Sequence, residues 1–211
     1  MFNTTIATQI YAKICFEATN SQKKIIENLS EYLSDDDFSR IFVLNGFAGT
    51  GKTTLIAAVV AALKELRIKP VLLAPTGRAA KVLARYCGEQ ALTIHKRIYR
   101  QRTNADYESK FSLDFNREQG AVFIVDEASM LSDSTGDGAL FGSGSLLEDL
   151  VSYVRSGRGC RLILVGDSAQ LPPVGCDFSP ALDPATVSRY GEVVYGLMDE
   201  VVRQQMQSGI L

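Results

Sequence analysis

Residues 46–53 read Gly-Phe-Ala-Gly-Thr-Gly-Lys-Thr and fill every fixed position of the pattern G-x-x-x-x-G-K-[ST]. The spacing suits phosphate chemistry. Glycines let successive backbone N–H groups turn inward around an anion, and a helix starting at the loop's end adds its N-terminal partial charge. Gly46, Ala48, Gly49, Thr50, Gly51 and Thr54 are therefore candidate nucleotide contacts. Lys52 is placed to reach the β- and γ-phosphates, and Thr53 to ligate Mg²⁺. ATP and Mg²⁺ are the expected cofactors. A glycine-rich turn with a solvated lysine needs no particular flanks, whereas here the apolar run 41–44 precedes the loop and the good helix formers of 53–66 follow it.

A second group that could do chemistry is Asp126-Glu127, directly after the apolar run AVFIV. An aspartate ending a buried strand can hold the water shell of Mg²⁺. A glutamate immediately after it faces the other way, where it can polarise an attacking water. The pair points to hydrolysis and weighs against a small-molecule kinase, which has no use for a base that activates water.

These groups need a scaffold, and four apolar runs supply it: 41–44, 71–73, 121–125 and 162–165, separated by helical stretches. Near-continuous apolar runs alternating with helices predict an α/β fold, a parallel sheet with helices on both faces. Ligands then sit at the carboxyl ends of the strands, and each end here carries polar chemistry: the glycine loop, Ala74-Pro75-Thr76, Asp126-Glu127 and Gly166-Asp167. Around the strands lie a helical lead-in over 1–40, an irregular stretch at about 100–119 and a Gly/Ser-rich stretch over 132–145. The alternation Phe111, Leu113, Phe115 in the first irregular stretch predicts a strand.

Composition agrees with a globular chain: 211 residues, 46% hydrophobic. The longest apolar run, 55–63, falls far short of the roughly 20 residues a membrane span needs, so no membrane partner is expected. Four scattered cysteines without metal-ligand spacing predict reduced thiols in a cytoplasmic protein. Net charge is only -2, yet residues 76–102 hold seven basic side chains against Glu89 alone, a local charge of +6. That segment could be a polyanion site or a solvated surface.

In order along the chain stand GFAGTGKTT (46–54), APTGRAAKVL (74–83), TIHKRI (93–98), VDEAS (125–129), GDSAQLPPVG (166–175) and VVRQ (201–204). This set resembles the first motor domain of superfamily 1 DNA helicases, in the 5′ to 3′ RecD-like subclass. The resemblance implies a RecA-like P-loop NTPase fold over 1–211 and an ATP-hydrolysing motor acting on single-stranded DNA. It gives Gln22 the place of an adenine-reading glutamine, Gln170 that of a γ-phosphate sensor, and Arg203 that of an arginine finger. It places Pro75, Thr76, Arg78, Thr93 and His95 along the single-strand track, with Lys96 as a further backbone contact. His95 is the only histidine, a residue type more often packed than exposed. The insertion at about 100–119 falls where relatives carry a strand-separating pin.

Such a motor needs a second RecA-like domain, and its motifs do not follow Gln204. The expectation is a fragment not competent for unwinding alone, whose partners are single-stranded DNA, the missing motor domain, and exonuclease or recombination subunits. Two other classes stay open: an ATPase that remodels protein assemblies, and a nucleotide-dependent DNA-binding module without turnover.

Overall fold

The computed structural model describes residues 2–103, 109–133 and 141–202. Helices α1 (Phe2–Lys13) and α2 (Asn20–Ser34) lead into β1 (Ile41–Gly46), α3 (Lys52–Glu65), β2 (Pro70–Ala74) and α4 (Gly77–Cys87). Then come β3 (Ala91–Thr93), α5 (Ile94–Ile98), β4 (Tyr99–Thr103), β5 (Ser109–Leu113), β6 (Val122–Val125), α6 (Leu146–Ser156), β7 (Arg161–Gly166), α7 (Pro184–Val187) and β8 (Val193–Met198). Six strands form one parallel sheet in the order β3-β2-β6-β7-β1-β8, and β4 and β5 form a separate antiparallel hairpin.

The side-chain alternation of buried strands divides the core in two. Phe42 and Leu44 of β1, with Ile163 and Val165 of β7, pack under α1 to α4. Ile41, Val43, Leu162 and Leu164 face the opposite side, under α5, α6 and α7. Both faces are thus covered, which is why these strands carry apolar residues at every position.

The four strands expected from apolar runs are the four central ones. The two edge strands have a weaker signal. β3 is three half-buried residues, and β8 alternates between exposed and buried positions. β8 also contains Gly196, where a side chain would collide with Ile25 of α2. The strand expected through Phe115 ends earlier, at Leu113. Beyond it Asn116 N–H bonds Ser156 Oγ at 3.0 Å, drawing the chain toward α6 and leaving Phe115 exposed. Half of the 132–145 stretch, residues 134–140, lies outside the described residues, as does Arg203. Among the described residues no helix is long and apolar enough to cross a membrane.

Tyr32 of α2 holds the start of β7. Its buried hydroxyl donates to Leu162 O at 2.8 Å and accepts from Leu162 N–H at 3.1 Å, and burial pushes its pKa well up. Tyr32→Phe removes both bonds inside the core and is expected to cost about 1–3 kcal/mol. Thermal denaturation should show a midpoint lower by about 2–4 °C per kcal/mol in a chain of this size. An unchanged midpoint would contradict this role.

Candidate nucleotide site

β1 carries the glycine loop straight out of the sheet, and the loop's backbone uses conformations open to glycine. Gly49 and Gly51 have φ of 80° and 85°. Gly51 is the N-cap of α3 and offers no side-chain hydrogen bond to the first turn, so the leading amides of this 14-residue helix have no side-chain cap. An uncapped helix start behind an inward-turned loop is a fitting cradle for phosphate. The fit is tight on the protein side. A Cβ at Gly51 would lie 2.9 Å from Gln22 Nε2, and one at Gly46 would lie 2.9 Å from Met198 Cβ.

Three contacts hold the loop from behind. Gln22, wholly buried, donates from Nε2 to Thr50 O at 3.0 Å while its Oε1 accepts from Thr19 N–H at 3.0 Å, closing the capping box of α2. Gln22 thus abuts the loop with both ends of its amide engaged. The segment after β8 lies on the loop's other side, with Phe47 N–H bonding Met198 O at 3.2 Å and Val202 N–H bonding Gly49 O at 3.1 Å. Asn45, buried at the end of β1, donates to Ser168 Oγ (2.8 Å) and Tyr195 OH (2.9 Å) and accepts from Ser168 N–H (3.0 Å). Sequence reasoning passed over Asn45; the available signal was a lone amide closing an apolar run.

The charged centre lies at the ends of β1, β6 and β7, three adjacent strands. Lys52 Nζ donates to Gly46 O and Phe47 O and stands 3.9 Å from Asp167 Oδ2. Burial lowers the Lys52 pKa, while Asp167, Glu127 and Asp126 oppose that shift, so all three carboxylates act on the one ammonium. Asp167 is buried and its Oδ1 accepts Ala169 N–H at 2.9 Å. It was noted in the sequence as a loaded strand end but given no role; the structure places it nearest the lysine.

Burial raises the Asp126 pKa above the usual carboxylate range, against a backbone hydrogen bond at Glu127 and the charge of Lys52. Glu127 is raised by burial first, then by Asp126 and Asp167. Glu127 also has φ of 55°, and among the described non-glycine residues only Arg67 shares the left-handed region. Such a backbone costs about 1–3 kcal/mol and clusters at functional sites. The oxygen donors of Thr53 and Asp126 suit a hard cation such as Mg²⁺. Gln170 follows on an exposed loop, its N–H on Asp167 O at 3.1 Å.

The residues expected along a strand track divide. Thr93 ends β3 and Thr76 lies two residues past the end of its partner strand β2; they cap α5 and α4, accepting from Lys96 N–H and Ala79 N–H at 3.2 Å each. Pro75 is half-buried beside them; Arg78 and Lys96 are exposed. The +6 count is corrected by acids from later in the chain: Arg97 pairs with Glu118 and Arg100 with Asp114, both at 2.6 Å. Arg78, Lys81, Arg85 and Lys96 make no ion pair among the described residues. His95 is half-buried against Tyr99 and Phe141, ring centroids 5.6 and 5.1 Å away, and burial lowers its pKa. The ring packs against both aromatics, and burial favours its neutral form.

A family model described as an AAA domain matches residues 17–209. The ATP-dependent RecD2 DNA helicase of Deinococcus radiodurans is 31% identical over 154 residues, which cover 73% of this chain and 19% of that protein. The RecBCD enzyme subunit RecD of Mycobacterium tuberculosis is 32% identical over 201 residues, covering 77% of this chain and 32% of that one. The solved structure of the Pif1 helicase from Bacteroides in complex with ADP-AlF3 and ssDNA matches with a TM-score of 0.56. That match has 19% identity, over 91% of this chain and 44% of that one, and is a likeness of fold. The chain spans about a fifth to a third of the length of these two curated relatives.

Because Asp126 has a raised pKa, the folded chain holds its proton more tightly than the unfolded chain does. Its ionisation therefore lowers stability as pH rises from the ordinary carboxylate pKa to the raised one. The ligand-free Asp126→Asn variant is expected to melt a few degrees above the parent chain at pH 7, with the gap closing below about pH 4. Thermal melts across that pH range check this, and a lower midpoint at pH 7 would contradict it.

Proposed function

The chain belongs to the AAA-domain family and is a nucleotide-binding motor domain of the RecD-like superfamily 1B kind; from that premise we propose that it hydrolyses ATP with Mg²⁺ and uses it to track along single-stranded DNA, as the first motor domain of a 5′ to 3′ helicase. One observation carries the reading: a half-buried lysine at a glycine loop, shared among Asp126, Glu127 and Asp167 at three neighbouring strand ends.

In this reading Lys52 and the leading amides of α3 bind the β- and γ-phosphates, and Gln22 sits beside the loop where an adenine would lie. Thr53 and Asp126 would hold Mg²⁺, which would supply positive charge to offset that developing on the phosphate. Glu127 takes a proton from the attacking water. Its raised pKa supports that role, since a base poised closer to neutral transfers protons more effectively in both directions. Gln170, whose N–H bonds the carbonyl of Asp167, is the γ-phosphate sensor, and Arg203 the charge-stabilising arginine. Pro75, Thr76, Arg78, Thr93, His95 and Lys96 form the strand track. The second motor domain and any exonuclease or recombination subunits belong to the same proposal, as does a cytoplasmic setting.

Two experiments follow. Titration with a fluorescent ATP analogue should show binding lost in Lys52→Ala and kept in Glu127→Gln, while phosphate release falls by about 10²–10⁴ in the latter. Equal loss of affinity in both variants would refute the assignment. Arg78→Gln should weaken single-strand binding alike for all base sequences and reduce the salt slope by roughly 0.7. An unchanged slope would return Arg78 to the solvated surface.

A further inference from the structure

A cavity of about 490 Å³ opens between α5 and the segment that follows β5. It takes no part in the nucleotide site. Its walls carry Lys96, Arg97, Arg100, Asp114, Phe115 and Arg117, with Leu92, Glu118 and Tyr153 completing it. The acids are already engaged: Asp114 with Arg100 and Glu118 with both Arg97 and Lys69, at 2.6 to 2.8 Å. These pairs make fixed walls. Lys96 and Arg117 are left exposed and without an ion pair among the described residues, so the cavity's free charge is positive.

Phe115 supplies the second half of the argument. It is 64% exposed at the rim, one residue past an aspartate that is itself bonded to an arginine. A large ring standing free beside cations combines a π-face with phosphate-binding charge, which is the pairing that single-stranded nucleic acid sites use. The volume falls in the range that encloses a small ligand, too small for a duplex groove. An acidic peptide would find its charge here, but it would leave the ring unused. Lys96 also connects the cavity to the proposed strand track, since Thr93 caps α5 and its hydroxyl accepts from the Lys96 N–H.

We propose that this cavity takes one unstacked nucleotide of a single strand leaving the Thr76–Thr93 edge, its base on Phe115 and its phosphate at Lys96 and Arg117. The proposal rests on the single-strand reading of the motor and adds to it a discrete stacking subsite at the foot of the β4–β5 hairpin.

The test is fluorescence anisotropy of a short oligothymidylate on the full chain, with Phe115→Ala, Phe115→Trp, Arg117→Gln and Arg78→Gln. Phe115→Ala is expected to weaken binding about 5- to 100-fold, the worth of one stacked base, and Phe115→Trp to restore it. Arg117→Gln should reduce the salt slope by roughly 0.7. An oligonucleotide bearing 5-iododeoxyuridine should photocrosslink to Phe115. ATP-analogue affinity should be unchanged in the Phe115 and Arg117 variants.

If Arg78→Gln weakens binding while the Phe115 and Arg117 variants bind normally, the subsite is wrong and the motor reading stands. If the parent chain binds no single strand with or without nucleotide, both fall. Competition by free thymidine monophosphate as effective, per nucleotide, as the oligonucleotide would overturn the strand assignment. Equal competition by polyglutamate, with Phe115→Ala silent, would mean that the cavity reads charge alone.

Discussion

One ammonium group, Lys52, stands among three carboxylates at the mouth of a buried sheet, and most of the architecture serves to hold it there. The order β6-β7-β1 sets Asp126 and Glu127, Asp167 and the glycine loop at adjacent strand ends. Burial lowers the lysine pKa and raises those of Asp126 and Glu127, and the attraction of Lys52 for the carboxylates, with a backbone hydrogen bond to Asp126, opposes it. Such a cluster is a poor way to stabilise a fold and a good way to meet a polyanionic ligand with its counter-ion. The left-handed backbone at Glu127 adds strain at the same place.

The supports of the loop are as specific as its charges. Gln22 braces Thr50 from α2, Asn45 ties β1 to Ser168 and Tyr195, and Met198 at the end of β8 and Val202 beyond it bond Phe47 and Gly49. Each support comes from a different part of the chain, so a change in the loop is felt by α2, by the segment carrying Gln170 and by the end of β8. The link to the strand track is equally short. Asp126 N–H bonds Leu73 O at 3.0 Å, and β2 then runs on to Pro75, Thr76 and Arg78. The residues proposed to hold the metal and those proposed to form the track therefore grow from adjacent, hydrogen-bonded strands.

Much of this was legible in the sequence, for physical reasons. Strands buried on both faces must be apolar at every position, so β1, β2, β6 and β7 announced themselves; the edges β3 and β8 did not, because half their surface meets solvent and Gly196 interrupts the pattern. The glycine loop was readable because few residue types satisfy its backbone. Charge was read less well. A window along the chain counted Arg97 and Arg100 as free, while their partners Glu118 and Asp114 arrive across the hairpin from outside that window. His95 shows the same limit, since its aromatic neighbour Phe141 is remote in sequence. Asp167 was visible as a strand end, but its pairing with Lys52 required the strand order.

The claim that the nucleotide site and the basic edge form one motor is tested most directly by steady-state phosphate release from this chain, with and without single-stranded DNA at low salt. Coupling of the two sites through β2 and β6 predicts that saturating single strand raises the turnover rate severalfold, at the same ATP-analogue affinity or tighter. A turnover rate indifferent to single-stranded DNA that is demonstrably bound would contradict the account and leave two sites that merely share a sheet.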